Sequence, residues 1–235
     1  MGGTRDITLT DQSFFHRRFD AMFLIVLGGL LLAGAMPVAV REMALLPHHA
    51  TQEGLGIGAP LPTEAVSNLA RTLSRVAWLG DSERFERLSA LVARRRFDRE
   101  GEIAALRRLA RLAPGDSTNW MNLALELPPG VEAARALRLS ALTNAFEFEA
   151  TPRRVDLGLR LWPYLDAEDK RAFGRLVLAL WQWETGRLAM VAARRQGYDQ
   201  IAPYLAHSPE DWEHFTRGYA IHRLNPEEPY LHGPP

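Results

Sequence analysis

The sequence predicts an all-α protein, an N-terminal transmembrane helix followed by an α-solenoid of short helix pairs. Three observations carry that expectation. The stretch Ala21 to Val40, AMFLIVLGGLLLAGAMPVAV, is uncharged and lies between Asp20 and Arg41. From Pro62 onward apolar residues recur at i, i+3, i+7 and i+10, the amphipathic helical period. Pro- and Gly-bearing turns interrupt that period at short intervals, and no run alternates with period two, so no sheet is expected.

Residues 21–40 come first. At about 1.5 Å per residue they form a helix of roughly 30 Å, the thickness of a bilayer's hydrocarbon core. Gly28, Gly29, Gly34 and Pro37 are tolerated there because a membrane helix satisfies its own backbone groups. Arg5, Arg17 and Arg18 precede the stretch, while Arg41 alone follows it until Arg71. By the positive-inside rule residues 1–20 are cytoplasmic and the rest lies outside. The expected location is therefore a bacterial inner membrane, single-pass, with a periplasmic C-terminal domain. Two rival readings remain open. Met22–Leu32 can be the h-region of a cleaved signal peptide with a site at Ala33-Gly34-Ala35, or the stretch can be a buried core helix.

Composition bounds the remainder. After Arg41 about 195 residues follow, enough for one domain with a real core. Hydrophobic residues make up 47% and charged residues 24%, as in ordinary globular proteins. Lys+Arg and Asp+Glu are 28 each, so no basic excess argues for nucleic acid. With no Cys, disulfides, thiol chemistry and thiolate metal sites are excluded. Lys170 is the single lysine, an arginine bias that points to a GC-rich bacterial genome.

Residues 41–62, with three Pro and three Gly, read as a linker without a helical period. From 63 to 224 a helical-repeat domain is expected. Thr63 caps a helix through Leu69 and Val76. Asp81 or Ser82 opens one with Phe85, Leu88 and Val92 on one face. Ile103, Leu106, Ala110 and Ala113 form the stripe of a third. Pro114-Gly115-Asp116-Ser117 ends it and caps a helix through Trp120 and Leu127. After Pro128-Pro129-Gly130 come helices over Val131–Phe146 and Pro152–Trp162. Asp166 begins the next, Gly186 and Gly197 punctuate two more, and Ser208 caps a last one through Trp212, Phe215 and Tyr219. Residues 225–235, NPEEPYLHGPP, read as an extended tail.

Short helices in pairs bury their apolar faces by stacking. In Arg107 to Ala124, RRLARLAPGDSTNWMNLA, Pro114 is followed by Trp120, Leu123 and Ala124, and the next helix holds Ala133, Ala134, Ala136 and Leu137. This resembles the junction between two tetratricopeptide repeats, and the resemblance implies tetratricopeptide-like stacking over about 40 residues. The 34-residue period does not extend into 150–225. Arg138 to Leu165, RLSALTNAFEFEATPRRVDLGLRLWPYL, resembles segments of uncharacterised membrane-anchored proteobacterial proteins of envelope and exopolysaccharide gene clusters. That resemblance supplies context and no catalytic residues.

The chemistry-bearing residues are sparse. Gly54-Leu55-Gly56-Ile57-Gly58 lacks the preceding strand of a phosphate loop. His48-His49 has no third ligand nearby, and Glu210 with His214, though i, i+4, lacks the second His and third ligand of a zinc site. Arg94-Arg95-Arg96, beside Asp98 and Glu100, reads as a solvated face or a modest anion-binding patch. Trp181 and Trp183 are two apart and cannot share a helix face, so one packs inward and one lies near a rim. Exposed Trp and Tyr suit a glycan contact or a protein hot spot, against the commoner role in core packing. No catalytic, cofactor-binding or metal residues are assigned and no cofactor is expected. The functional expectation is a single-pass membrane-anchored periplasmic helical-repeat scaffold, held by residues 21–40 in inner-membrane lipid and binding a protein partner in an envelope complex that serves polysaccharide assembly or export. The alternative is an envelope accessory enzyme, such as a glycan hydrolase with a helical catalytic domain and paired carboxylates.

Overall fold

The structure, a computed structural model, describes residues 10–144 and 147–224. The first nine residues of the 1–20 segment, the 225–235 tail and the expected end of the Val131–Phe146 helix lie outside the described residues. Among the described residues every regular element is helical and none is a strand.

Helix α1 spans Thr10–Leu45, so it contains 21–40 and continues past Arg41. The helical run Val26–Gly56 is long and apolar enough to cross a membrane, with mean hydropathy 1.6, and only 11% of its most apolar window is buried. Phe23, Leu30, Leu31, Leu32 and Met36 all face outward. This exposure is opposite to that of a core helix, whose apolar stripe packs on neighbours. Pro37 lies inside α1 without ending it.

The 41–62 segment differs from the sequence expectation of a linker. It is helical through a 3-10 turn at Leu46–His48 and α2, His49–Gly56. The reason is tertiary. Leu45 and Leu55 are buried in one cluster with Val66, Leu69, Leu73 and Val76 of α3 (Thr63–Val76) and Phe85, Leu88 and Val92 of α4 (Glu83–Arg95). Gly54 passes close enough to Leu61 that a Cβ would collide with its side chain.

Local chemistry sets most later boundaries. Ser82 caps α4, its hydroxyl accepting from Phe85 N–H at 3.2 Å. Asp98 caps α5 (Arg99–Leu112) and Asp116 caps α6 (Ser117–Glu126). Asp166 and Asp169 form a capping box at the start of α9 (Ala167–Trp183). Thr63 differs from its expected role: it is the first helical residue, and Pro62 holds the cap position without a side-chain bond.

A second core begins at Ala90, on another face of α4, and runs to Tyr219. Here α4 packs on α5, α5 on α6, and α6 on α7 (Val131–Thr143), each helix against its neighbour in sequence. The C-terminal half is arranged otherwise. Helix α10 (Thr185–Arg195) packs on α8 (Thr151–Arg160), α9, α11 (Tyr198–Leu205) and α12 (Pro209–Leu224). Leu188, Val191 and Ala192 of α10 are wholly buried as a result. Aromatic rings fill the space around it: Tyr198 stacks on Phe215 at 5.6 Å, and Trp181 meets Phe215 edge-on at 6.2 Å.

Candidate functional site

The strongest candidate site lies at the corner between α4 and α5. Phe97 N–H donates to the Arg94 carbonyl at 3.1 Å, and Asp98 N–H to the Ala93 carbonyl at 2.9 Å. These are the paired bonds of a Schellman motif, which demands a left-handed residue and usually takes glycine. Phe97 supplies it, with φ 58°. Asp98 then caps α5 by accepting from Gly101 N–H at 2.9 Å. The two helices share so short a corner that the ring points outward, 95% exposed. A left-handed non-glycine residue costs about 1–2 kcal/mol, and a ring in water recovers none of it by burial.

That ring borders an open groove of about 530 Å³ lined also by Leu61, Thr63, Val66, Ser67, Arg95 and Arg96. Arg94 turns away, its Nε 2.7 Å from Glu102 Oε1 and its Nη2 3.2 Å from Glu126 Oε1. Burial pushes the Glu102 carboxyl above its ordinary range, and the Arg94 guanidinium pulls it back. Arg95 and Arg96 are exposed and make no ion pair among the described residues. The lining thus offers two guanidinium groups, two hydroxyls and three apolar side chains. That is the chemistry of recognising a carboxylate-bearing segment with an apolar anchor.

The junction between α1 and the domain orients this groove. Arg41, nearly fully buried, donates from Nη1 to the Gly80 carbonyl at 2.8 Å. Glu42 pairs with Arg84 Nη1 at 2.6 Å, and Arg84 Nη2 donates to Gln52 Oε1 at 3.0 Å. Gln52 Nε2 donates to the Leu45 carbonyl at 2.8 Å. His48 Nε2 lies 2.9 Å from Thr72 Oγ1. Arg41 meets residue 80 and His48 meets residue 72, so the chain leaving the apolar span runs opposite to α3. The groove, at the start of α3, is therefore about 20 Å further along, one length of that helix.

A third polar cluster is structural. Arg154 is 0% exposed. It donates to Ser140 Oγ (3.0 Å), the Asn144 carbonyl (2.6 Å) and Glu147 Oε2 (3.1 Å). Glu147 Oε2 also accepts from Ser117 Oγ at 2.8 Å. Burial lowers the Arg154 guanidinium from its usual value. Beside α7 and α9, the cavity lined by Leu137, Arg138, Asp169 and Phe173 holds about 20 Å³, room for one water.

The residues singled out by sequence are dispersed. His48 is bound to Thr72, and His49 sits 3.7 Å from Glu53 in an exposed i, i+4 pair. Gly54–Gly58 spans the end of α2 with no strand before it. Glu210 and His214 line a shallow groove with Glu213 and Arg217, and no group of three or more His, Asp or Glu side chains is placed to hold a metal ion among the described residues. Trp181 is buried, whereas Trp183 is half-exposed and tilts against Phe148 at 5.6 Å. Sequence reasoning missed Phe97. Its signal is an aromatic between the last arginine of α4 and a capping Asp, where turn chemistry asks for glycine. Comparison with protein-family models, curated proteins and solved structures finds no match.

Proposed function

We infer that this chain is a membrane-anchored helical scaffold of the bacterial envelope. Residues 21–40 cross the inner membrane, residues 1–20 stay in the cytoplasm, and the domain from 63 to 224 stands in the periplasm as tetratricopeptide-like helix pairs. The domain captures a partner protein through the groove at Phe97, taking a segment with carboxylates for Arg95 and Arg96 and an apolar side chain for Phe97, Leu61 and Val66. A role in a polysaccharide assembly or export complex follows from the resemblance of residues 138–165.

One observation carries this reading. A strained backbone holds a large aromatic ring in water, beside two arginines with no ion-pair partner among the described residues. Strain of that kind persists where the side chain it displays is used. Neighbour-on-neighbour packing from α4 to α7 supports the repeat-like stack.

The test is photocrosslinking in intact membranes with p-benzoylphenylalanine in place of Phe97. A single dominant adduct is expected, lost when Arg95→Ser and Arg96→Ser are combined with the probe. No adduct beyond that from a probe at exposed Leu142, or an adduct indifferent to both arginines, would overturn the groove as the binding site.

A further inference from the structure

The 3-10 turn Ala77–Leu79 buries none of its three residues, and Trp78 is 80% exposed. An indole left in water is costly unless something covers it. The fold places this turn at a particular height. Arg41, which follows the last residue of the apolar span, holds the Gly80 carbonyl at 2.8 Å. Trp78 is two residues from Gly80, within about 7 Å along the chain. Exposed Met43 lies three residues beyond Val40, about 4.5 Å further along the helix axis. The polar interface of a bilayer is roughly 5–8 Å deep on each side. Trp78 and Met43 therefore lie within the interfacial layer when residues 21–40 fill the hydrocarbon core.

We propose that the Ala77–Leu79 turn seats in the bilayer interface, with Trp78 as a second membrane contact beside the α1 span. The occupant of this surface is the headgroup and upper-acyl layer of the bilayer that α1 crosses. Continuity with the span selects it, and the amphipathic indole suits that depth. The proposal rests on the reading of residues 21–40 as a membrane span. Two contacts, the span and the turn, fix the tilt of the domain, where a span alone leaves it free.

The full chain in phosphatidylcholine vesicles tests this. The emission of Trp78 is isolated by subtracting the Trp78→Phe variant, which leaves the other five of the six tryptophans unchanged. The replaced side chain is exposed, so the variant folds as the parent does. Phosphatidylcholine brominated along its acyl chains is the quencher, and Leu30→Trp in a Trp78→Phe background reports the span. Loss of the Trp78 emission in brominated vesicles, together with loss of the emission added by Leu30→Trp, is the expected result. Loss at position 30 with unchanged Trp78 emission overturns the seating and leaves the span intact. Unchanged emission at both positions overturns the span, and the seating with it.

Discussion

Replacing Phe97 by glycine should stabilise the protein, although it removes a whole aromatic side chain. The left-handed backbone at Phe97 costs about 1–2 kcal/mol in any residue with a Cβ. Glycine removes that strain but loses about 0.5–1 kcal/mol through its greater freedom when unfolded. The ring is 95% exposed, so about 10 Å² of apolar area is forfeited, worth roughly 0.25 kcal/mol. The net gain is about 0.25–0.75 kcal/mol. At about 2–4 °C per kcal/mol for a chain of this size, the melting temperature rises by roughly 0.5–3 °C. Helical circular dichroism of the full chain during thermal unfolding in detergent micelles measures it. Phe97→Ala is the companion: it removes the ring and keeps the strained backbone, so its midpoint should stay near that of the parent. A fall in midpoint for both variants would refute the reasoning, because it would mean that the ring packs and the corner is relaxed.

Other substitutions probe other parts of the molecule. Arg154→Met removes the donor for the buried Ser140 hydroxyl and the Asn144 carbonyl, and should cost about 3–5 kcal/mol in urea unfolding. Gly174→Ala drives a Cβ into the Tyr204 ring, whose hydroxyl is held by the Lys170 carbonyl at 2.8 Å, so it should destabilise by about 1–3 kcal/mol despite alanine's helix propensity. Gly186→Ala meets nothing within 4 Å in the first turn of α10 and should stabilise by up to about 1 kcal/mol, read in the same assay. Glu102 has its folded-state pKa raised by burial. Its contribution is fully present below the unfolded value near 4.5 and declines as pH rises through the raised one. Glu102→Gln does not titrate, so its stability relative to the parent should improve between pH 4 and pH 7. A difference that is flat or opposite in sign would refute the assignment.

Legibility in the sequence followed the range of the interactions. Ser82, Asp116, Asp166 and Ser208 mark helix starts because a cap bonds two or three residues away, well within a local pattern. The apolar period likewise marks Leu69, Leu106 and Leu123 as inward-facing. Residues 41–56 defeated local reading. Their order comes from His48 on Thr72, Arg84 on Glu42 and Gln52, and Leu45 and Leu55 in a shared core, all separated widely in sequence. The arrangement around α10 was also illegible, since its partners include helices before and after it and leave no repeat period. Phe97 and Trp78 escaped for a different reason: an exposed aromatic has no periodic partner to announce it.

The bonded end of α1 has a mechanical consequence. Because Arg41 and Glu42 are bonded to Gly80 and Arg84, and Leu45 shares the core of α3 and α4, the domain turns with α1 about the helix axis as a hand follows a clock spindle. One residue inserted between Val40 and Arg41 would turn the groove by about 100° and lift it by about 1.5 Å. With α1 in a bilayer as proposed, the azimuth at which Phe97 faces outward is set by helix phase, and rotation of α1 about its axis steers the groove.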